Sequence, residues 1–369
     1  MICLFLIMVV SYNKDKVINI VNQKFFKALT IFLIFIVIYS LFNGSFFDDF
    51  AESRKIAQII LLLILFSFAN DKRFLIYGFI LGVLVSSLIT DLNIVTYYFN
   101  SSDLLISKSS VEDLFITQRL YLGFFVVISI VLLSFLFQTS NRNKQKIFYA
   151  LLILFFIFTL FLISSRSAIL IAFLVFLTTI IYQSKSVFTI VVLLASFVIF
   201  SAIIITNKNL SNRFLYSQDS VRTSFIEKIK THEPRYDIWR FSLQIFEEQN
   251  LGLFGLGTYK TQELLVEKYK LMPIDKRKNW FIQRNFNTHN QYIDIILSFG
   301  FIGLILFTVF LRDIVLITYK NIYSLNLILS LILFLVIENL FHRQLGSFIL
   351  ALTIVIAVYI INSQNEKDT

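Results

Sequence analysis

The sequence predicts an all-α polytopic integral membrane protein with about 10–11 transmembrane helices and one large, partly helical extracytoplasmic loop. Three observations carry that expectation. The 369 residues are 57% hydrophobic and 17% aromatic, more than a soluble domain can bury, so the excess has to face lipid. Apolar stretches close to the ~20 residues of a spanning helix follow one another along the chain. The only long polar interval runs from Asn207 to Asn290.

Composition excludes several classes of function. One cysteine, Cys3, rules out a disulfide within the chain and a zinc site built on cysteines. The formal net charge of +10 is a weak argument for nucleic acid here, because the cytoplasmic loops of polytopic proteins collect Lys and Arg.

Taken in order, Met1–Ser11 is apolar but short of a full span, and it lacks the basic start and small-residue site of a cleaved signal peptide. Spans follow near Leu29–Phe42, Lys55–Phe68, Phe74–Tyr97, Arg119–Phe137, Ile147–Ile163, Ser167–Tyr182 and Val187–Ile205. Beyond the polar interval come Gln291–Leu311, Asn321–Leu340 and Gly346–Ile361, then a polar tail, Asn362–Thr369. The segment Asn43–Ser53, with Asp48, Asp49 and Glu52, reads as an acidic connection.

Alternating spans put Lys14–Lys27, Lys72-Arg73, Arg142/Lys144/Lys146, Lys185 and Arg312/Lys320 on one side, which is then cytoplasmic. Arg54 and Lys55 dissent. The expected organisation is an N-terminal transmembrane bundle (1–206), an outward loop (207–290), C-terminal transmembrane helices (291–362) and a cytoplasmic tail (363–369).

Within the loop, Arg235–Glu248 places Ile238, Trp239, Ser242 and Phe246 roughly on one helical face, which predicts packing along an apolar surface. Pro234 suits the start of that helix. Gly252, Gly255 and Gly257 interrupt it, and a second helix resumes over Thr258–Lys270. These glycines lack the strand–turn–helix setting of a dinucleotide site, so a tight turn is the expectation.

Charges at the membrane edge carry the functional information, because burying them is costly. Arg166 sits in a connector of almost no length, Ser164-Ser165-Arg166. Two readings of it stand side by side: an anchor that snorkels to headgroups, or a fixed cation whose planar fork matches a phosphate. His289 heads a span and has the reference pKa of a general base, ~6.5; a structural role is the alternative. Glu338 and Arg343 bracket the outer end of the next-to-last span and by default pair with each other. His342 and His232 have no supporting context, and for Asp294 and Asp313 a solvated helix-end charge is as good a reading as a functional one.

Three pieces together resemble the O-antigen ligase/polymerase family of bacterial envelope glycan assembly. Arg166-Ser167-Ala168-Ile169-Leu170 is similar to its R-x3-L segment. Arg235-Tyr236-Asp237-Ile238-Trp239 followed by Gly252–Gly257 resembles its R-x-x-x-W…G-x-G region. His289-Asn290, nine residues, then Gly300-Phe301-Ile302-Gly303 fits H-N-x9-G-x-x-G. The ending Glu338-Asn339-Leu340-Phe341-His342-Arg343-Gln344 is a weaker match to some members' tail. The resemblance spans roughly Ile147 to Ile361.

The resemblance implies a metal-independent, inverting glycosyltransferase without cofactor, in the bacterial inner membrane with its large loop periplasmic. The donor it implies is a glycan on undecaprenyl pyrophosphate; the acceptor is a hydroxyl of lipid A-core or another surface glycan or lipid. It puts Arg166 and Arg235 on the diphosphate and His289 at the acceptor as base, with Arg240, Arg284, Arg343 and Glu338 as secondary candidates. Gly300 and Gly303 are expected to let the His289 helix pack closely on a neighbour. A repeat-unit polymerase uses the same donor chemistry and is the alternative within the family. A lipid-linked oligosaccharide flippase is the competing class, but the chain shows no internal repeat and its charges gather at one face, unlike a midplane transport site.

Overall fold

The computed structural model describes residues 14–69, 71–100, 109–183, 188–217, 224–273 and 276–368. Met1–Ser11 lies outside the described residues. All regular structure among those described is helical. The α-helices are α1 (Lys14–Val21), α2 (Lys24–Phe42), α3 (Phe46–Ser67), α4 (Arg73–Asn100), α5 (Arg119–Thr139), α6 (Asn143–Ile163), α7 (Arg166–Gln183) and α8 (Phe188–Thr206). They continue with α9 (Lys208–Leu215), α10 (Phe225–His232), α11 (Pro234–Glu248), α12 (Thr258–Lys270), α13 (Lys276–Arg284), α14 (Gln291–Thr318), α15 (Ile322–Leu335) and α16 (Gln344–Asp368).

Among the described residues, eight helices are long and apolar enough to cross a membrane: α2, α4, α5, α6, α7, α8, α14 and α16. With α3 and α15 they account for the ten expected apolar segments after Met1–Ser11. Two depart from a simple span. Helix α3 starts at Phe46, so the acidic segment read as a connection is mostly helix; Asp48 and Asp49 in its first turn suit the positive end of the helix dipole. Helix α15 has 14 residues, short of a ~20-residue crossing, and gives way to irregular chain before Glu338. The polar tail is likewise helical as far as Asp368, an extension of α16. Helix α8 exposes Ile190, Leu194, Phe197 and Val198, the surface of a helix whose solvent is lipid. This is a multi-pass all-α membrane protein.

The chain divides into two compact units. The first comprises residues 1–70, 226–319 and 331–359. Helix α2 runs against α14, with Phe32 fully buried beside the rings of Phe307 (5.9 Å), Phe341 (6.3 Å) and Phe299 (6.4 Å). The helices between residues 226 and 290 have a core of their own: Ile238, Phe241 and Ile245 of α11, Leu265 and Tyr269 of α12, and Phe281 of α13, closed by Leu297 of α14. Helix α11 thus packs along an apolar surface as its pattern predicts, with Pro234 in its first turn and α12 beginning at Thr258.

Helix α14 is broken at Gly300, whose φ of 67° and ψ of −164° are not helical. In an apolar setting the freed backbone groups need partners. The chain at Gly252–Gly257 supplies them: Leu256 N donates to Leu297 O (2.9 Å), Gly257 N to Ser298 O (2.8 Å), and Phe301 N to Gly252 O (3.0 Å). A Cβ on Gly255 would stand 2.4 Å from the Ser298 carbonyl carbon, and one on Gly300 2.4 Å from Leu253 O. The glycines therefore permit two backbones to touch. Gly300 gives the His289 helix the expected close packing on a neighbour, here the 252–257 loop, whereas a Cβ on Gly303 would meet Phe299 of its own helix at 2.4 Å.

The second unit comprises residues 71–225, 320–330 and 360–369. Helix α5 packs against α4, α6 and α7 and is largely buried. The expected tight connector is present: α6 ends at Ile163 and α7 begins at Arg166. Ser164 takes the left-handed conformation that ends α6, and Ser164 and Ser165 are buried.

Candidate active site

In the first unit the segment Asn287–Asn290 turns the chain into α14. Asn290 caps that helix, its side chain accepting from the backbone N–H of Tyr292 and Ile293. His289 just before it has φ of 45°, a left-handed conformation uncommon outside glycine. Its neighbours hold it there. His289 N donates to Asn287 Oδ1 (3.0 Å), and Trp239 Nε1 on α11 donates to Thr288 O (3.0 Å). Thr288 Oγ1 accepts from Asn339 Nδ2 (2.8 Å) and lies 3.2 Å from Asp294 Oδ1.

His289 Nδ1 is 3.2 Å from Glu338 Oε2. The Glu338 side chain is 2% exposed, and its other oxygen lies 3.6 Å from Arg343 Nε. Arg235, in the first turn of α11, donates from Nε to the carbonyl of Ile337 (3.2 Å), next to Glu338 in the chain. Burial alone would push the Glu338 carboxyl up. The His289 hydrogen bond and charge, with Arg343 and Arg235, outweigh it and hold the group below the ordinary glutamate range. An ionised carboxylate only accepts, so the His289 Nδ1 that faces it is a donor, and Nε2 is the ring nitrogen left for proton exchange. That arrangement fits an imidazole to take a proton.

A second histidine joins the same unit. His342 Nε2 is 2.9 Å from Asp294 Oδ2, and its Nδ1 is 3.6 Å from Glu52 Oε1. Burial pulls its pKa down, but Asp294 and then Glu52 raise it above the ordinary histidine value against the opposition of Lys55. This corrects two sequence expectations. Asp294 is 5% exposed and not a solvated helix-end charge, and His342 has a full electrostatic context. The Glu338–Arg343 pair exists as expected, yet the closer partner of Glu338 is His289.

The remaining candidates are spread more widely. Arg240 is exposed and paired with Asp237 (3.0 Å), with its guanidinium over the Phe241 ring (4.8 Å). Arg284 is exposed in the last turn of α13. Arg166 belongs to the second unit; its Nη1 donates to the hydroxyl of Tyr216 (3.0 Å) and its guanidinium lies 5.8 Å from that ring.

Residues 150–308 match the family model described as O-Antigen ligase. Over that segment the chain is similar to the O-antigen ligase family. The matched segment contains Arg166, Arg235, Arg240, Arg284 and His289; Glu338 and Arg343 lie beyond it. No curated protein sequence matches the chain. That match, in a multi-pass helical membrane protein, supports a membrane glycosyltransferase of the O-antigen ligase/polymerase type.

Reading the chain residue by residue left two relationships out. The His289–Glu338 pair spans 49 residues, and nothing in the local pattern at either end announces the other. The Asp294–His342 pair spans 48. A signal did exist for the second: Asp294 falls one turn inside an apolar span, where an unpaired carboxylate is expensive and a cationic partner is to be sought.

Proposed function

We propose that this protein is a ligase that moves a glycan from undecaprenyl pyrophosphate to an acceptor hydroxyl, on lipid A-core or another surface acceptor, at the periplasmic face of the bacterial inner membrane. The observation that carries the reading is the His289 imidazole held through Nδ1 by a buried, ionised Glu338, within a chain similar to this family.

The chemistry follows from charge. The acceptor oxygen attacks the anomeric carbon from the face opposite the diphosphate, so configuration inverts. The C–O bond to the carrier breaks, and its electron pair leaves on undecaprenyl pyrophosphate. His289 Nε2 takes the acceptor's proton as the new bond forms, which raises the nucleophilicity of that oxygen. Glu338 stabilises the imidazolium that results and fixes the ring. Arg235 in the first unit and Arg166 in the second are each a candidate guanidinium for the diphosphate, where negative charge develops, and no metal ion is required for that task. Arg343 keeps Glu338 ionised; Arg240, already paired with Asp237, and Arg284 are surface cations of lesser consequence.

The ligase reading is preferred over a polymerase because Arg166–Leu170 and the segment from His289 to Gly303 have the spacing of ligase motifs. Purified protein in liposomes with labelled lipid-linked glycan tests the transfer. Wild type should transfer label to an acceptor, and Arg166→Ala, Arg235→Ala and His289→Ala should abolish transfer while remaining folded. Full activity in all three variants overturns the assignment. A null strain separates the roles: polymer stranded on the carrier marks a ligase, whereas single repeats on the acceptor mark a polymerase.

A further inference from the structure

Helix α5 begins inside the second unit with a buried cation. The side chain of Arg119 is 4% exposed, yet none of its three guanidinium nitrogens has a hydrogen-bond partner among the described residues. Its contacts are an ion pair with Glu112 at 3.5 Å, longer than a good charged hydrogen bond, and the Phe115 ring at 4.7 Å. A buried guanidinium whose donors find no hydrogen-bond acceptor among the described residues is a costly arrangement.

A second guanidinium makes it costlier. Arg166 lies within Coulombic reach of Arg119 and repels it. The cause is visible in the packing. Gly123, one helical turn after Arg119 on the same face of α5, lets α5 press on the connector between α6 and α7: a Cβ there would fall 2.8 Å from Ser165 Oγ and 2.6 Å from Ala168 Cβ. That approach brings the head of α5 beside Ser165-Arg166. The first backbone N–H groups of α5 are at the same place, and the residue before them, Gln118, makes no side-chain cap. Among the described residues the carboxylate that faces Arg119 is Glu112, which is half exposed.

We infer that Arg119 is a further substrate-binding residue: with Arg166 it forms a seat for the diphosphate of the lipid-linked donor, the Glu112 carboxylate occupying the anion's place when no donor is bound. This rests on the transfer reading above and adds a residue to it. A diphosphate supplies what the fold lacks there, several strong acceptors and at least two negative charges that planar guanidinium forks match in geometry. The long Arg119–Glu112 separation fits a carboxylate that gives way to a better ligand.

Equilibrium binding of a short-chain prenyl diphosphate, with the matching prenyl alcohol as control, tests the inference on the purified full chain in detergent. Wild type should prefer the diphosphate. Arg119→Ala should weaken diphosphate binding by at least ~10-fold and leave the alcohol unchanged, since charged hydrogen bonds to the diphosphate are lost and none to the alcohol. Arg119→Lys, which keeps the charge and guards against a folding defect, should weaken it less. Glu112→Gln should tighten it. Diphosphate affinities of Arg119→Ala and Arg119→Lys within twofold of wild type overturn the assignment of Arg119 and leave the transfer reading standing. Equal loss of diphosphate and alcohol also overturns it, by assigning Arg119 a structural role. Wild type with no preference for the diphosphate overturns both.

Discussion

His289 Nδ1 and Glu338 Oε2 stand 3.2 Å apart, although 49 residues separate them in the chain. The pair fixes which ring nitrogen donates to the carboxylate and keeps a negative charge beneath the imidazole. If His289 is a base, Glu338→Gln should remove the charge that stabilises its protonated form while keeping the shape. Turnover in the transfer assay should fall by roughly 10²-fold, the lower end of what acid–base catalysis supplies, with little change in donor binding. Unchanged turnover would detach Glu338 from the chemistry.

The His342–Asp294 pair supports the same turn from the other side, through Asp294 and Thr288. His342→Ala leaves the buried Asp294 carboxylate without its partner and should lower stability by about 1–3 kcal/mol. The pH dependence has a definite sign. The folded pKa of His342 lies above its unfolded value, so the pair's contribution is fully present below ~6.5 and fades as pH rises through the folded value. Thermal unfolding in detergent at several pH values should show the gap between wild type and His342→Ala narrowing on the alkaline side. A gap independent of pH would contradict the pairing.

The broken helix makes a graded prediction. Gly300→Ala places a side chain at φ of 67° and 2.4 Å from Leu253 O, and Gly255→Ala puts a Cβ 2.4 Å from the Ser298 backbone. Both should lower the unfolding temperature, Gly300→Ala by more because backbone strain of about 1–3 kcal/mol adds to the clash. Gly252→Ala has nothing within 4 Å and should be close to neutral. Equal effects at the three positions would contradict the seating of residues 252–257 in the break.

Asp49 binds two segments together. Its carboxylate accepts from Ser45 Oγ (2.6 Å), Thr258 Oγ1 (2.8 Å) and Tyr259 N (2.9 Å), and so caps α12 from the first turn of α3. Asp49→Ala should cost about 1–2 kcal/mol, the loss of a cap. Hydrogen exchange should then rise first in the opening turn of α12; unaltered protection there would contradict the cap.

How much of this the sequence disclosed depended on the range of the interactions. Helix α11 was legible because Ile238 and Ser242 repeat at helical spacing and Pro234 marks its start. The connector at Arg166 was legible because two apolar spans adjoin with no room for a loop. The helical start at Phe46 was hidden by acidic residues that resemble a loop; two of them serve the helix dipole and the α12 cap. The pairing of Gly252–Gly257 with Gly300 was hidden because glycine spacing signals permissiveness and never names the backbone that will use it. Arg119 reads in sequence as an ordinary flanking cation; its burial depends on the close approach at Gly123.

The central claim is that one imidazole takes the acceptor's proton, and single-turnover transfer by His289→Gln tests it most directly. Donor preloaded on the purified enzyme should remain bound at wild-type affinity, while the rate of glycan transfer to acceptor falls by at least ~10²-fold. Transfer at the wild-type rate from a fully loaded His289→Gln enzyme would contradict the account.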